Sequence, residues 1–337
     1  MRILVSGSLA YDKIMEYPGR FSDHIMPDKI HTINLSFVTE NLRENFGGTA
    51  GNIAYGLALL GEKPTILASA GRDFQTYRAR LEKVGANLDF VRIISDKSTA
   101  LCNIMTDRAD NQIAALYIGA MAYPCGIKDD EIPTDAFAII SPGNIDDMRR
   151  FPALYREKKI PFIFDPGQQI PALSADEIRN GINGAKIFIS NDYELALVLE
   201  KTGWTEKDIL GQAEILVTTL GENGSRIRTG ENIIAPVRGS APLCARSTRL
   251  LARAASNGVE IPPVKVKKVI DPTGAGDAYR AGFIKGLLAN WPLEVAGRFA
   301  GVMATCAIEV YGPQEYLISF PEARVRYKEN FGNDLPD

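Results

Sequence analysis

The chain has 337 residues, 45% of them hydrophobic and 23% charged, with a net charge of −3. That is ordinary globular composition with an ample core, and it offers no basic footprint for nucleic acid or an anionic membrane. Four scattered cysteines (Cys102, Cys125, Cys244, Cys306) and two histidines (His24, His31) argue against a disulfide framework or a Cys/His zinc site.

No run approaches the roughly 18 apolar residues of a membrane span. The chain opens directly on Ile3-Leu4-Val5, so a cytoplasmic protein is expected. Arg2–Ser6 reads as a strand that breaks at Gly7-Ser8, with Asp12 shortly after. Lys13–Phe46 has no helical period; its apolar residues are spaced as in short half-exposed strands. Phe46-Gly47-Gly48-Thr49-Ala50-Gly51-Asn52 is a glycine loop leading into a buried helix over Ile53–Leu60, closed by Gly61.

From there strands and helices alternate. Strands are expected at Pro64–Ser69, Leu88–Ile94, Phe137–Ser141, Pro161–Asp165, Ile187–Ser190, Ile215–Thr219 and Lys267–Ile270. Helices are expected at Phe74–Val84, Ile145–Lys158, Ile178–Ile182, Tyr193–Lys201 and Ala278–Leu288. Thr99–Met105 and Gln112–Ile118 read as a hairpin around Asp107–Asn111. The alternation predicts an α/β fold, a mostly parallel sheet with helices on both faces, and the length suits one large or two small domains. The segments 13–46 and 99–118 break the pattern and would form a small β-sheet at one edge. Pro236–Gly258, rich in Arg and Ala, reads as a solvated surface insertion.

In a parallel sheet, ligands gather at the carboxyl ends of the strands. Gly7 with Asp12, Gly47-Gly48 with Asn52, Asp165-Pro-Gly-Gln168, Asn191-Asp-Tyr-Glu194, Thr219-Leu-Gly-Glu-Asn-Gly224 and Asp271-Pro-Thr-Gly-Ala-Gly-Asp277 all fall there. The last combines a glycine pair with a helix start, an arrangement that frees N–H groups for an anion. Asp277 would repel phosphate there, unless its task is to hold or deprotonate a hydroxyl aimed at it. Taken alone, Asp277 is equally an ordinary helix cap, Asn191 with Glu194 a capping box, and Asp12, Gly47 and Gly48 turn residues. No G-x-x-x-x-G-K-S/T, G-x-S-x-G or leading G-x-G-x-x-G occurs, which argues against a P-loop enzyme, a serine hydrolase or a dinucleotide site on the first strand.

Four of these stretches, in order, resemble the PfkB/ribokinase family of carbohydrate and nucleoside kinases. They are Gly47-Gly48 with Asn52, Asn191-Asp-Tyr-Glu194, Thr219-Leu-Gly-Glu-Asn-Gly224 and Asp271–Asp277 followed by Ala278-Tyr-Arg-Ala-Gly282. Gly7–Asp12, the run from Phe21 to Gly56 and Asp165-Pro-Gly-Gln168 look most like bacterial adenosine-kinase-like members. The resemblance implies a three-layer α/β/α fold in a single kinase domain over 1–337, with the small sheet as a lid. It implies an ATP- and Mg²⁺-dependent kinase acting on the 5′-hydroxyl of a nucleoside, adenosine first, in purine salvage. The alternatives are a ribose- or fructose-type sugar kinase, or a binding protein without catalysis.

Carried over, Asp277 would be the base, and Gly274, Ala275 and Gly276 the anion hole. Asp12, Gly47, Gly48 and Asn52 would hold the ribose. Asn191 and Glu194 would organise Mg²⁺ and its waters, while Thr219, Gly221 and Gly224 would line the nucleotide site. Asp271 and Thr273 would sit at a monovalent cation such as K⁺. Lid strands could pair two subunits into a homodimer.

Overall fold

The computed structural model describes residues 1–32, 34–109, 111–230 and 258–336. The expected insertion at 236–258 therefore lies, but for Gly258, outside the described residues. Successive residues of a strand point to opposite faces, and this alternation builds the two helical layers. In β1 (Arg2–Ser6), Ile3 and Val5 face one way, packing in one core with Ile53 and Leu57 of α1 (Thr49–Leu59). Leu4 faces the other way, in a second core with Ile140, Phe151 and Ile178. Each such side chain is 0–3% exposed, which contributes roughly 1.5–3 kcal/mol apiece.

Among the described residues the large sheet has nine strands. Next to β1 lie β4 (Pro64–Gly71) and then β5 (Val91–Ile94) on one side. On the other lie β8 (Ala136–Ile140), β9 (Phe162–Phe164), β10 (Ile187–Asn191) and β11 (Ile215–Thr219), all parallel. β12 (Ser225–Thr229) and β13 (Val259–Ile261) close that edge antiparallel. The helices α2 (Gln75–Val84), α3 (Ile145–Glu157), α4 (Ala175–Ile182) and α5 (Asp192–Thr202) follow their strands, and α6 (Glu206–Leu210) comes between α5 and β11. The chain ends with α7 (Ala275–Leu288), α8 (Leu293–Ile308) and α9 (Phe320–Phe331). Among the described residues no helix is long and apolar enough to cross a membrane.

A separate four-stranded sheet holds β2 (Ala10–Glu16), β3 (Asn41–Gly47), β6 (Ala100–Thr106) and β7 (Gln112–Tyr117), in the order β3-β2-β6-β7. It takes in the ends of the segment expected at 13–46 and the hairpin expected at 99–118. Between β2 and β3 the chain makes 3-10 turns at Phe21–Asp23 and Pro27–Thr32 instead of strands.

Lys267–Ile270 is not a strand, although its apolar end at Val269-Ile270 reads as one. The N–H groups of Ile270 and Asp271 both donate to the carbonyl of Ile308, at 2.8 and 3.2 Å. The segment is thus moored to the last turn of α8, and the sheet edge is already filled by β13. The first helix also begins earlier than its apolar pattern suggests, at Thr49.

Candidate functional site

Because β1, β4, β5 and β8 to β11 are parallel, their carboxyl ends share one edge, where the loops after β1, β9, β10 and β11 lie. Gly47-Gly48 follows β3 of the small sheet and is held beside the β1 loop, where the Ala50 N–H donates to the Ser8 carbonyl at 3.0 Å. The sixth polar loop, Asp271–Asp277, is brought there by helix packing. Gly56 of α1 sits so close to Ala281 of α7 that a Cβ on it would lie 2.8 Å from the Ala281 Cβ. One turn earlier on each helix stand Asn52 and Asp277, four residues before Gly56 and Ala281, so small residues at the crossing bring their side chains together. Asn52 Nδ2 donates to Asp277 Oδ2 at 2.8 Å.

Asp277 lies in the first turn of α7, half-buried, with its carboxyl pushed up to about 6. Burial is the main cause; Arg280 and the Asn52 bond pull it down, and the charges of Asp165 and Glu194 push it up. Arg280, one turn on, donates from Nη1 to the Gly276 carbonyl at 2.9 Å. It also donates to both oxygens of Asp165, from Nη2 at 2.7 Å and from Nε. Burial pushes the Asp165 carboxyl up, while the charge and the two-pronged contact of Arg280 pull it back down.

The glycines are structural necessities here. Gly274 has φ +78°, and a Cβ on it would lie 2.3 Å from the Pro313 Cβ. Gly48 has φ +87°, with the Ser8 carbonyl 2.6 Å from the same virtual atom. Of the three expected anion donors, Ala275 turns its N–H to the Pro272 carbonyl at 3.2 Å, leaving Gly274 and Gly276 outside that turn.

From the small sheet, Asp12 reaches the same cleft. Its Oδ2 lies 2.5 Å from where a Cβ on Gly47 would be, and its carboxyl is pushed up to about 6 by burial and then by the charge of Asp271. The Asp271 carboxylate itself accepts N–H groups from Thr273 at 2.9 Å and Gly312 at 3.0 Å.

Asn191 and Glu194 sit at the end of β10 and the start of α5, where they form the reciprocal capping box. Asn191 Oδ1 accepts from the Glu194 N–H at 2.7 Å, and Glu194 Oε2 accepts from the Asn191 N–H at 2.9 Å. Among the described residues Glu194 Oε1 makes no hydrogen bond and is left for another partner. Burial raises its pKa, and the charges of Asp165 and Arg280 act on it, which places it in the cleft that holds Asp277. Among the described residues no three His, Cys, Asp or Glu side chains cluster as a metal site. Glu194 is the carboxylate that could stand behind a hydrated Mg²⁺ held through water and phosphate oxygens. Thr219 pairs in register with Asn191 on the neighbouring strand. Gly221 (φ +57°) and Gly224 (φ +86°) shape the turn that follows it.

The sequence reading missed the stretch 312–316 entirely. Gly312 holds Asp271, Pro313 packs on Gly274, and Gln314 Nε2 donates to Asn52 Oδ1 at 2.9 Å. The available signal was a Gly-Pro turn followed by Gln in an apolar setting.

The model of the pfkB family of carbohydrate kinases matches residues 10–319. The chain is 28% identical to a nucleoside kinase of Methanothermobacter thermautotrophicus, covering 99% of this chain and 98% of that one. It is 25% identical to an ATP-dependent ribose-1-phosphate kinase of Halopiger xanaduensis, covering 77% and 78%. Two solved structures of a Burkholderia thailandensis nucleoside kinase superpose closely. The complex with inosine is 34% identical with a TM-score of 0.80, covering 98% of this chain and 99% of that one. The ADP–inosine complex is 35% identical with a TM-score of 0.77, covering 98% and 97%.

Proposed function

The chain belongs to the pfkB family of carbohydrate kinases and is a phosphotransferase with an alcohol acceptor; within that family we propose that it transfers the γ-phosphoryl of ATP to the 5′-hydroxyl of a nucleoside. Adenosine is the first acceptor proposed, in a purine-salvage role in the cytoplasm. The full-length similarity to a nucleoside kinase seen with inosine adds that nucleoside to the candidates. The observation that carries the reading is Asp277: a half-buried carboxylate at a helix start, close in sequence to Gly274 and Gly276 and bonded to Asn52.

In this reading Asp277, ionised, accepts the hydrogen bond of the substrate hydroxyl. Its pKa near 6 keeps it ionised at neutral pH while leaving it a better base than an ordinary Asp. Phosphoryl transfer passes through a loose transition state in most analyses, so the proton can leave late and positioning dominates. The N–H groups of Gly274 and Gly276 face the transferring oxygens, a class of contact worth roughly 3–4 kcal/mol per donor elsewhere; Ala275 joins them if its turn opens. The positive end of α7 adds to this.

Asp12, Gly47, Gly48 and Asn52 hold the ribose hydroxyls. Thr219, Gly221 and Gly224 line the nucleotide. Asn191 and Glu194 orient the waters of Mg²⁺, which when bound neutralises charge on the ATP phosphates. Asp271, with Thr273, offers its remaining lone pairs to a monovalent cation such as K⁺. The small sheet is a lid that keeps water from ATP. The exposed strand β7, with Ile113, Leu116 and Tyr117 between 43% and 62% exposed, suits pairing with a second subunit.

An ADP-release assay over adenosine, inosine, cytidine, ribose, ribose-1-phosphate and fructose tests the reading. Turnover of nucleosides, with a 5′-phosphorylated product, is expected. Turnover of sugars or sugar phosphates alone would overturn it in favour of the sugar-kinase alternative that the Halopiger similarity supports. Binding without ADP would favour a non-catalytic protein.

A further inference from the structure

We infer that Gln314 and Tyr77 are positioning residues that fix which face of the Asn52 amide meets Asp277, and so tie that carboxylate to the junction between β3 and α1. The inference rests on Asp277 as the base of the proposed reaction.

The polarity of the chain of bonds follows from its far end. The Gly47 carbonyl can only accept, so the buried Tyr77 hydroxyl donates to it, at 2.8 Å. The Tyr77 oxygen must then accept, and it accepts from Gln314 Nε2 at 2.5 Å. The second proton on the same nitrogen goes to Asn52 Oδ1 at 2.9 Å. That turns the Asn52 NH₂ outward, where it donates to Asp277 Oδ2 at 2.8 Å. Every donor meets an acceptor in one direction only. Reversing Gln314 would put its carbonyl against the Asn52 oxygen, and relieving that clash by reversing Asn52 would aim an oxygen at an ionised carboxylate.

Gln314 does not adopt this orientation for its own sake. It is 1% exposed, and its Oε1 has no hydrogen-bond partner among the described residues. Its backbone is clamped in place: Arg80, on the helix that carries Tyr77, donates to the Gln314 carbonyl and pairs with Glu315 at 2.9 Å. Gly51 is required for the approach, since a Cβ there would lie 1.8 Å from the Tyr77 hydroxyl. Gly47 is the last residue of β3 and Gly48 turns the chain into α1. A shift of the small sheet at this junction moves the first link of the chain.

Asp277 faces Arg280 on its own helix, Asp165 from the end of β9, Glu194 from α5 and Tyr316 beyond Gln314. None of these changes in the variants that follow. The test is the pH profile of kcat/KM for the acceptor in Gln314→Met and Tyr77→Phe, beside Asp277→Asn. One hydrogen bond to a carboxylate is worth about one pH unit. Gln314→Met is therefore expected to move the acid limb up by about one unit with KM for ATP unchanged, and Tyr77→Phe to move it in the same direction by less. Adding Asn52→Leu to Gln314→Met should cost less than the two changes taken separately. Tyr77→Phe keeps the ring and its packing, so it decides the matter if the methionine variant does not fold. An unmoved acid limb, with only the melting temperature lowered, overturns the inference. Asp277→Asn at near wild-type turnover overturns the base assignment instead.

Discussion

Arg280 of α7 grips Asp165 at the end of β9 through two nitrogens, and both side chains are at most 8% exposed. The pair joins the helix that carries Asp277 to the middle of the parallel sheet. Removing one partner of such a pair leaves a buried charge alone, which typically costs 3–5 kcal/mol, while replacing both with apolar groups is often nearly neutral. Arg280→Met is expected to lower the denaturation midpoint severely, and the double variant Arg280→Met/Asp165→Leu to recover much of the loss. Urea titrations of the singles and the double measure it. Arg280→Lys should not rescue, because an ammonium cannot make the fork.

Asp277 links activity and stability with opposite signs. Its folded pKa, about 6 against 3.8 in the unfolded chain, means the native state carries a penalty for the ionised form above pH 6. That penalty fades as pH falls from 6 toward 4. The neutral Asp277→Asn removes it, so at pH 7 the variant should be more stable by up to ~3 kcal/mol, from about two units at 1.36 kcal/mol each. Its kcat should fall by a factor of about 10² to 10⁴, the usual range for loss of a general base. Calorimetry and single-turnover kinetics on the same preparation check both halves; a variant both inactive and less stable would contradict the electrostatic account.

Asp12 titrates in the same range, about 6, from the small sheet. If it accepts ribose hydroxyls, KM for the acceptor should rise as pH falls through 6, and this rise should vanish in Asp12→Asn. The KM for ATP should show no such rise. Acceptor and ATP KM values between pH 5 and 8 provide the check.

Gly274→Ala places a Cβ 2.3 Å from that of Pro313 at a φ of +78°. The backbone must move away from the 312–314 turn, and the N–H donors move with it. A displacement of this order costs about 10²-fold in rate. The expected result is that loss in kcat, with the KM for the acceptor changed far less. Gly61→Ala is the control, since its φ is also positive but nothing lies within 4 Å of the added atom.

Much of this molecule is written locally. The alternation of short β-branched strands and helices, the glycine turns and the capping box at Asn191 and Glu194 depend on neighbours within a few residues, so the sequence alone determines them. Periodicity also drew the hairpin of β6 and β7. Where a local pattern lacked a partner it misled: Lys267–Ile270 ends in a β-branched apolar pair like a strand, but a strand needs an open sheet edge, and β13 occupies it. The antiparallel turn of β12 and β13 was invisible for the same reason, being a matter of pairing. Only the tertiary structure decides that Asn52 meets Asp277, 225 residues away, or that Gln314 reaches Tyr77 across 237. Those contacts arise because Gly56 lets two helices touch and Arg80 fixes a loop. Hydrogen-bond polarity and desolvation then set what a carboxylate can do, and no single stretch of chain contains them.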